Sequence, residues 1–196
     1  MITRIYYRIF FSMKHVCMVL GRPLASALFV LLLIFPVISF SEDSALPTGA
    51  KVVSEDGRFV DNGDLTITDT QTGIMWLKND SFQQTGHWMN WGESIDFIQK
   101  LNEEAFASYI DWQMPQVKDL KTLFDPEKLN SKQLGREMKI HMDPIFTNQG
   151  AGALWSSEEN GRFNGFGLIF NNGARFSAPK TSRGRKAVRA MRFIHP

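Results

Sequence analysis

The only cysteine of the chain, Cys17, lies ahead of an apolar run at residues 24–38, so everything after that run must fold without a cysteine. A disulfide, a thiolate nucleophile and a thiolate metal site are all excluded there, and the fold has to be held by its own buried surface. The run is preceded by Arg4, Arg8, Lys14 and Arg22 and followed by Ser39-Phe40-Ser41. A basic start, an apolar centre and small residues at the end form the pattern of a secretory signal over residues 1–41. The run is about 15 residues, shorter than the ~20 that a membrane-crossing helix needs, and Pro36 interrupts its end. Cleavage is therefore expected, leaving no membrane span; retention as an uncleaved anchor is the alternative. Either way the expected location is outside the cytoplasm: periplasm, cell surface or secreted.

Residues 42–57 are small and polar and read as a linker, leaving 58–196 as one domain. Without the four basic residues of the leader, 18 Lys and Arg face 20 Asp and Glu. The small negative balance is unevenly spread. Residues 175–196 hold Arg175, Lys180, Arg183, Arg185, Lys186, Arg189 and Arg192 and no acid. Such asymmetry bears on partners rather than on fold.

Asp61-Asn62-Gly63-Asp64 and Asp69-Thr70-Gln71-Thr72-Gly73 are turn signals, and the alternating residues around them predict a hairpin over 65–77. Asn90 and Glu93 stand as a capping box. After them Trp91, Ile95, Ile98, Leu101 and Ala105 recur at helical spacing, predicting a helix over 91–103 with one buried stripe. Pro115 suits a first helical position. Val117, Leu120 and Phe124 share a face behind it, and Asp125-Pro126 stops that second helix. The stretch 126–150 is the least readable, with room for a short helix around 131–138. Leu154-Trp155-Ser156 reads as a strand. Phe166, Leu168, Phe170 and Phe176 alternate around Asn172-Gly173, a strong hairpin signal, and a last strand is expected over 186–193. Strands, two helices and further strands in that order give an α+β fold with an antiparallel sheet.

Three separated segments, RFVDNGDLTITDTQTGIMWLKN (58–79), DWQMPQVKDLKTLFD (111–125) and WSSEENGRFNGFGLIFNNGARFS…AVRAMRF (155–193), together resemble the Lcl C-terminal-like domain family of exported bacterial proteins. The resemblance implies a C-type-lectin-like fold, two helices packed on a twisted antiparallel sheet with long loops. It also implies adhesion and the binding of sulfated glycans, since the member that names the family is a collagen-like surface adhesin. No Gly-X-Y region is present here. The 111–125 segment is also similar to one in formylglycine-generating enzymes, whose chemistry depends on cysteines this part of the chain lacks. Family members usually carry Arg-Leu where this chain has Gln113-Met114. Where relatives often hold a cysteine pair, the matching positions are the apolar Ile98 and Ala190, so these two are expected to meet in the core.

Among chemistry-bearing residues, His87, His141 and His195 are widely spaced and form no metal-binding pair. Asp61, Asn62, Asp64 and Asp69 are read chiefly as turn formers, with calcium as the alternative; no other cofactor is expected. Ser156-Ser157 lacks a nucleophile elbow. Glu158-Glu159, Glu103-Glu104 and Asp111 are the acids a polysaccharide hydrolase would use, but neighbours on a strand face opposite ways. The basic stretch is the strongest functional signal. Arg175, Lys180, Arg183, Arg185 and Lys186 are the candidate ligand-binding residues, because arginine forks match sulfate and carboxylate groups; the alternative is a solvated basic edge that keeps the last strands from pairing with other chains. Phe163, Phe166, Trp88 and Trp91 are candidates for stacking, with Trp91 read chiefly as core. The expected role is a non-catalytic exported binding domain for an anionic glycan or an envelope partner. Export argues against nucleic acid, and an envelope hydrolase or a structural envelope protein are the alternatives.

Overall fold

The computed structural model describes residues 51–194, so the expected leader over residues 1–41 and His195 lie outside the described residues. The domain is α+β with antiparallel sheets. Strands β1 (Val52–Val53), β2 (Phe59–Asp61), β3 (Thr66–Asp69) and β4 (Ile74–Leu77) form a meander, and the chain's last strand closes it beside β4. The expected hairpin is β3–β4, with Thr66 opposite Leu77 and Asp69 opposite Ile74. β1 lies within the stretch read as a linker. Its two β-branched residues pair with β2, Val52 opposite Asp61.

Three helices follow: α1 (Ser81–Thr85), α2 (Trp91–Glu103) and α3 (Val117–Leu123). Both α1 and α2 open with reciprocal capping boxes, Asp80 with Gln83 and Asn90 with Glu93. The short α1 was not legible in advance. α2 has the predicted bounds, but its buried residues are Ser94, Ile98 and Leu101. Trp91 is only half-buried, and Ala105 lies beyond the helix in a left-handed conformation. α3 starts two residues later than Pro115 suggests, because Gln116 occupies the cap position and the Asp119 carboxylate accepts from its N–H. Leu123, rather than the half-buried Phe124, completes its core face.

Where a short helix had room, the chain forms the two-residue strands β5 (Ser131–Lys132) and β6 (Lys139–Ile140). Gly135 takes a positive φ of 70°, which turns the chain back on itself instead of continuing a helix. A second antiparallel sheet comprises β7 (Ala153–Asn160), β8 (Asn164–Ile169) and β9 (Ala174–Pro179), with the Asn172-Gly173 turn between β8 and β9. α3 packs against β7 and β8. The last strand, β10 (Met191–Phe193), is shorter than expected. The residues before it, 187–190, are fully buried but pair with three different elements. Ala187 bonds to β7, Val188 to Ser81 and Ala190 to Leu77.

Two clusters form the core. One gathers Trp76, Leu120, Leu154, Leu168 and Phe170 between the sheets and α3. The other joins Leu77, Leu101, Trp112 and Val188, and it contains both Ile98 and Ala190. The two positions matched to a cysteine pair thus share one apolar cluster.

Arg189 sits between these clusters, 2 % exposed. Its Nη1 donates to the carbonyls of Leu77 and Lys78, each at 2.6 Å, and its guanidinium lies over the Phe146 ring. The Asp80 carboxylate is 3.8 Å from Nη2. Burial pulls the Arg189 pKa down to about 10, so the group remains charged at neutral pH. Asp80, itself buried, also accepts from Gln83 N and Ala151 N.

Truncating Asp80 to Ala would strand a buried cation and two backbone donors, so a loss of about 3–5 kcal/mol is expected in urea denaturation. A second expectation concerns acid. Hydrogen bonds from Lys128, Ser54 and the Arg58 N–H hold the Asp56 carboxyl far below the usual range. Burial works to raise Asp69, but hydrogen bonds from Arg58 and Thr72 outweigh it and leave it lowered. Carboxyls depressed in the fold stabilise it fully above the ordinary carboxylate pKa of about 4, and that stabilisation is lost as pH falls below it. The melting temperature should therefore drop steeply between about pH 4 and pH 2, and Asp69→Asn should flatten that slope.

Candidate functional site

Strand register divides the basic stretch before any surface is considered. Paired residues project to the same side of a sheet and neighbours along a strand to opposite sides. Leu154, Leu168 and Arg175 therefore share one face of the second sheet, and Trp155, Gly167 and Phe176 share the other. Arg175 lies over Phe166, 4.2 Å from the ring centroid. Lys186 is on the opposite face, 5.2 Å from the Trp155 ring and 5.9 Å from Phe176.

Two glycines make room for that second face. A Cβ on Gly167 would stand 2.2 Å from the Leu154 carbonyl oxygen and 2.4 Å from the Phe176 ring. One on Gly165 would be 2.7 Å from the Trp91 ring. Trp91 thus lies across the sheet rather than in the core where the sequence put it, with Nε1 donating to the Ser156 carbonyl. Lys180 rests on its ring at 4.5 Å and pairs with Glu159 at 3.0 Å.

The remaining cations come from the loop after β9. Lys186 Nζ donates to Ser182 Oγ, and burial lowers its pKa. Arg185 Nη1 donates to the carbonyls of Leu134 and Gly135. Arg183 extends away from these and meets Glu93 in the first turn of α2. Nε donates to Glu93 Oε2 at 3.0 Å, Nη2 to Oε1, and the Arg183 side chain stays 67 % exposed. The five candidates therefore do not form one site. Arg175 is exposed on the far face, Lys180 and Lys186 are laid on aromatic rings, Arg185 is bonded to the turn at Gly135, and Arg183 reaches the open space beside α2.

That space is a groove of about 690 Å³ between α2 and the loop that precedes it. Trp88, Met89 and Phe97 give it an apolar floor, and Glu93, Asp96, Lys100 and Arg183 a charged rim. Trp88 is fixed by stacking on Phe82, with ring centroids 3.7 Å apart and planes 4° from parallel. Glu93 has two tasks: it accepts from Asn90 N as part of the capping box and also holds Arg183. Hydrogen bonds from Arg183 and the Asn90 N–H lower its pKa, so it stands as a carboxylate rather than a proton donor. The sequence reading found Trp88 and Arg183 but used Glu93 only as a cap. The spacing of Glu93, Asp96, Phe97 and Lys100 does mark a second helical stripe, but only the neighbouring loops turn that stripe into a wall.

Other candidates are tied into the fold. Asp61 pairs with Lys78, Asp64 accepts from the Thr66 N–H and hydroxyl, and Asp69 is gripped by Arg58 while closing its own turn. Among the described residues no group of three His, Cys, Asp or Glu side chains is placed to hold a metal. Glu158 accepts from Val117 N at the start of α3, whereas Glu159 turns to Lys180, so the adjacent acids diverge. Glu104 lies near Lys100, and Asp111 accepts from Arg192 Nε. His141 touches the Lys128 carbonyl, and exposed His87 lies at the groove. Phe163, 73 % exposed, stands at the β7–β8 turn.

The family model of the Lcl C-terminal domain matches residues 65–192, from the start of the β3–β4 hairpin to β10. No curated protein matches the chain.

Because Gly167 faces a carbonyl oxygen that cannot move independently, Gly167→Ala should destabilise the protein by about 1–3 kcal/mol. The Trp155 environment should change with it, read as a shift in tryptophan emission and a lower midpoint in urea.

Proposed function

The chain belongs to the Lcl C-terminal domain family, and we propose that it is an exported, non-catalytic binding domain that takes an acidic glycan into the Arg183 groove. The groove carries this reading: its aromatic floor and exposed arginine match a ligand that presents both an apolar ring face and an acidic group. The volume falls within the ~300–1,000 Å³ usual for small-molecule sites. Sugar rings offer C–H faces to surfaces such as Trp88 and Phe97. A guanidinium fork takes a carboxylate or sulfate through two parallel hydrogen bonds. Lys100 adds a second positive charge on the rim.

The lectin-like character implied by the family resemblance is part of the same reading, with ligand contacts drawn from loops and a helix end beside an antiparallel sheet. So is export to the periplasm, the cell surface or the medium, which rests on the leader pattern of residues 1–41. Binding of this kind needs no cation, because the arginine supplies the charge that calcium would otherwise provide.

The test is elution of the purified protein from immobilised heparin in a salt gradient. The wild type should be retained, and its retention should fall steeply with salt. Arg183→Ala should elute much earlier, with about a tenfold loss of affinity, ~1.4 kcal/mol. Lys121→Ala, an equal loss of charge at an exposed position of α3, should not shift. Equal elution of Arg183→Ala and wild type would remove the glycan from this groove and turn the search to a protein partner.

A further inference from the structure

Arg183 is not idle in the absence of ligand. Its guanidinium already holds a carboxylate in the two-pronged arrangement expected of a bound acid, and that carboxylate belongs to Glu93. The pair lies on the groove rim, with the Glu93 side chain 34 % exposed and Arg183 67 %, so both are open to exchange. The contact joins α2 to the loop after β9, segments 90 residues apart in sequence.

Glu93 would remain anchored if Arg183 left it. Its Oε2 accepts from Asn90 N at 2.9 Å, and the Asn90 side chain accepts in return from Glu93 N. The capping box gives the carboxylate a resting place that does not depend on the arginine. Arg183, by contrast, has only Glu93 among its hydrogen-bond partners in the described residues, and it comes from the exposed stretch between Thr181 and Gly184. An acid entering the groove thus meets a cation whose present partner can let go at little cost, since exposed ion pairs contribute only about 0.2–1 kcal/mol.

We propose that Glu93 is an internal stand-in for the ligand's acidic group: the carboxylate or sulfate of the incoming sugar displaces it from Arg183, and Glu93 falls back on its capping bond to Asn90. This deepens the acidic-glycan reading and rests on it. Glu93 then sets specificity in two ways. It screens Arg183 from weak or singly bonding anions, and a ligand must offer two oxygens in the plane of the fork to compete with it. With Asp96 also on the rim, it further disfavours ligands that carry charge without a ring for the apolar floor.

Glu93→Gln isolates this role, because Gln at the third helical position also closes a capping box while giving up the charge. Titration with a fluorescently labelled heparin oligosaccharide should show Glu93→Gln binding about two- to fivefold tighter than wild type, the range set by an exposed ion pair. The double variant with Arg183→Ala should bind no better than Arg183→Ala alone. Glu93→Ala is the second variant: it loses the reciprocal cap and should melt lower, yet show the same gain in affinity. If Arg183→Ala weakens binding but neither Glu93 variant strengthens it, the stand-in is overturned while the glycan reading survives. If Arg183→Ala binds like wild type, both fall together.

Discussion

A single buried guanidinium organises this domain. Arg189 lies where the first sheet, α1 and the 147–151 loop converge, and it bonds to two carbonyls at the end of β4. Placing a cation there is costly, and its Nε has no hydrogen-bond partner among the described residues. The arrangement persists because Asp80 is buried beside it, accepting from Gln83 N at the start of α1 and from Ala151 N while its charge faces Arg189 at 3.8 Å. Gly150 must lack a side chain for this, since a Cβ there would come within 2.5 Å of the Asp80 carboxylate.

The path of the C-terminal segment depends on that centre. A regular strand over 186–193 would pair with one neighbour along its whole length. Residues 187–190 instead pass from β7 to α1 to the end of β4, sharing hydrogen bonds among them, and only then does β10 pair regularly. The two sheets are thereby connected through a buried strip of chain rather than through side-chain packing alone. This suits a domain with no cysteine after Cys17. The second core cluster, with Ile98 and Ala190 in it, gives α2 and the segment before β10 an apolar junction.

The same segment explains why the basic stretch is not a basic surface. Seven cations run from Arg175 to Arg192 without an acid, yet one is the buried Arg189, one rests on Tyr109 beside Asp111, and Lys186 is half-buried against Trp155. Acids distant in sequence, Glu93 and Glu159, come to meet Arg183 and Lys180. Charge that looks segregated along the chain is largely neutralised in space. The candidate site is therefore local: Arg183, paired with Glu93 and still exposed on the rim of an aromatic groove, makes a different kind of site from a polyanion-binding face.

The sequence by itself determined the elements whose causes are local. The β3–β4 hairpin, the turn at Asn172-Gly173 and the bounds of α2 follow from turn residues, alternation and a capping box, each settled within a few residues of chain. The α+β class followed from their order, and the family from the resemblance of three separated segments. Tertiary structure decided what depends on distant partners. It placed Trp91 across Gly165, put Arg189 inside and Arg175 on the far face, and replaced a short helix by β5 and β6. It also joined Glu93 to Arg183. A side chain's charge and helical position can be read from the sequence, but whether it meets solvent, a ring or an opposite charge is set by register and by loops arriving from elsewhere in the chain. For that reason the candidate groove, built from α2, the loop before it and the loop after β9, was visible only in pieces.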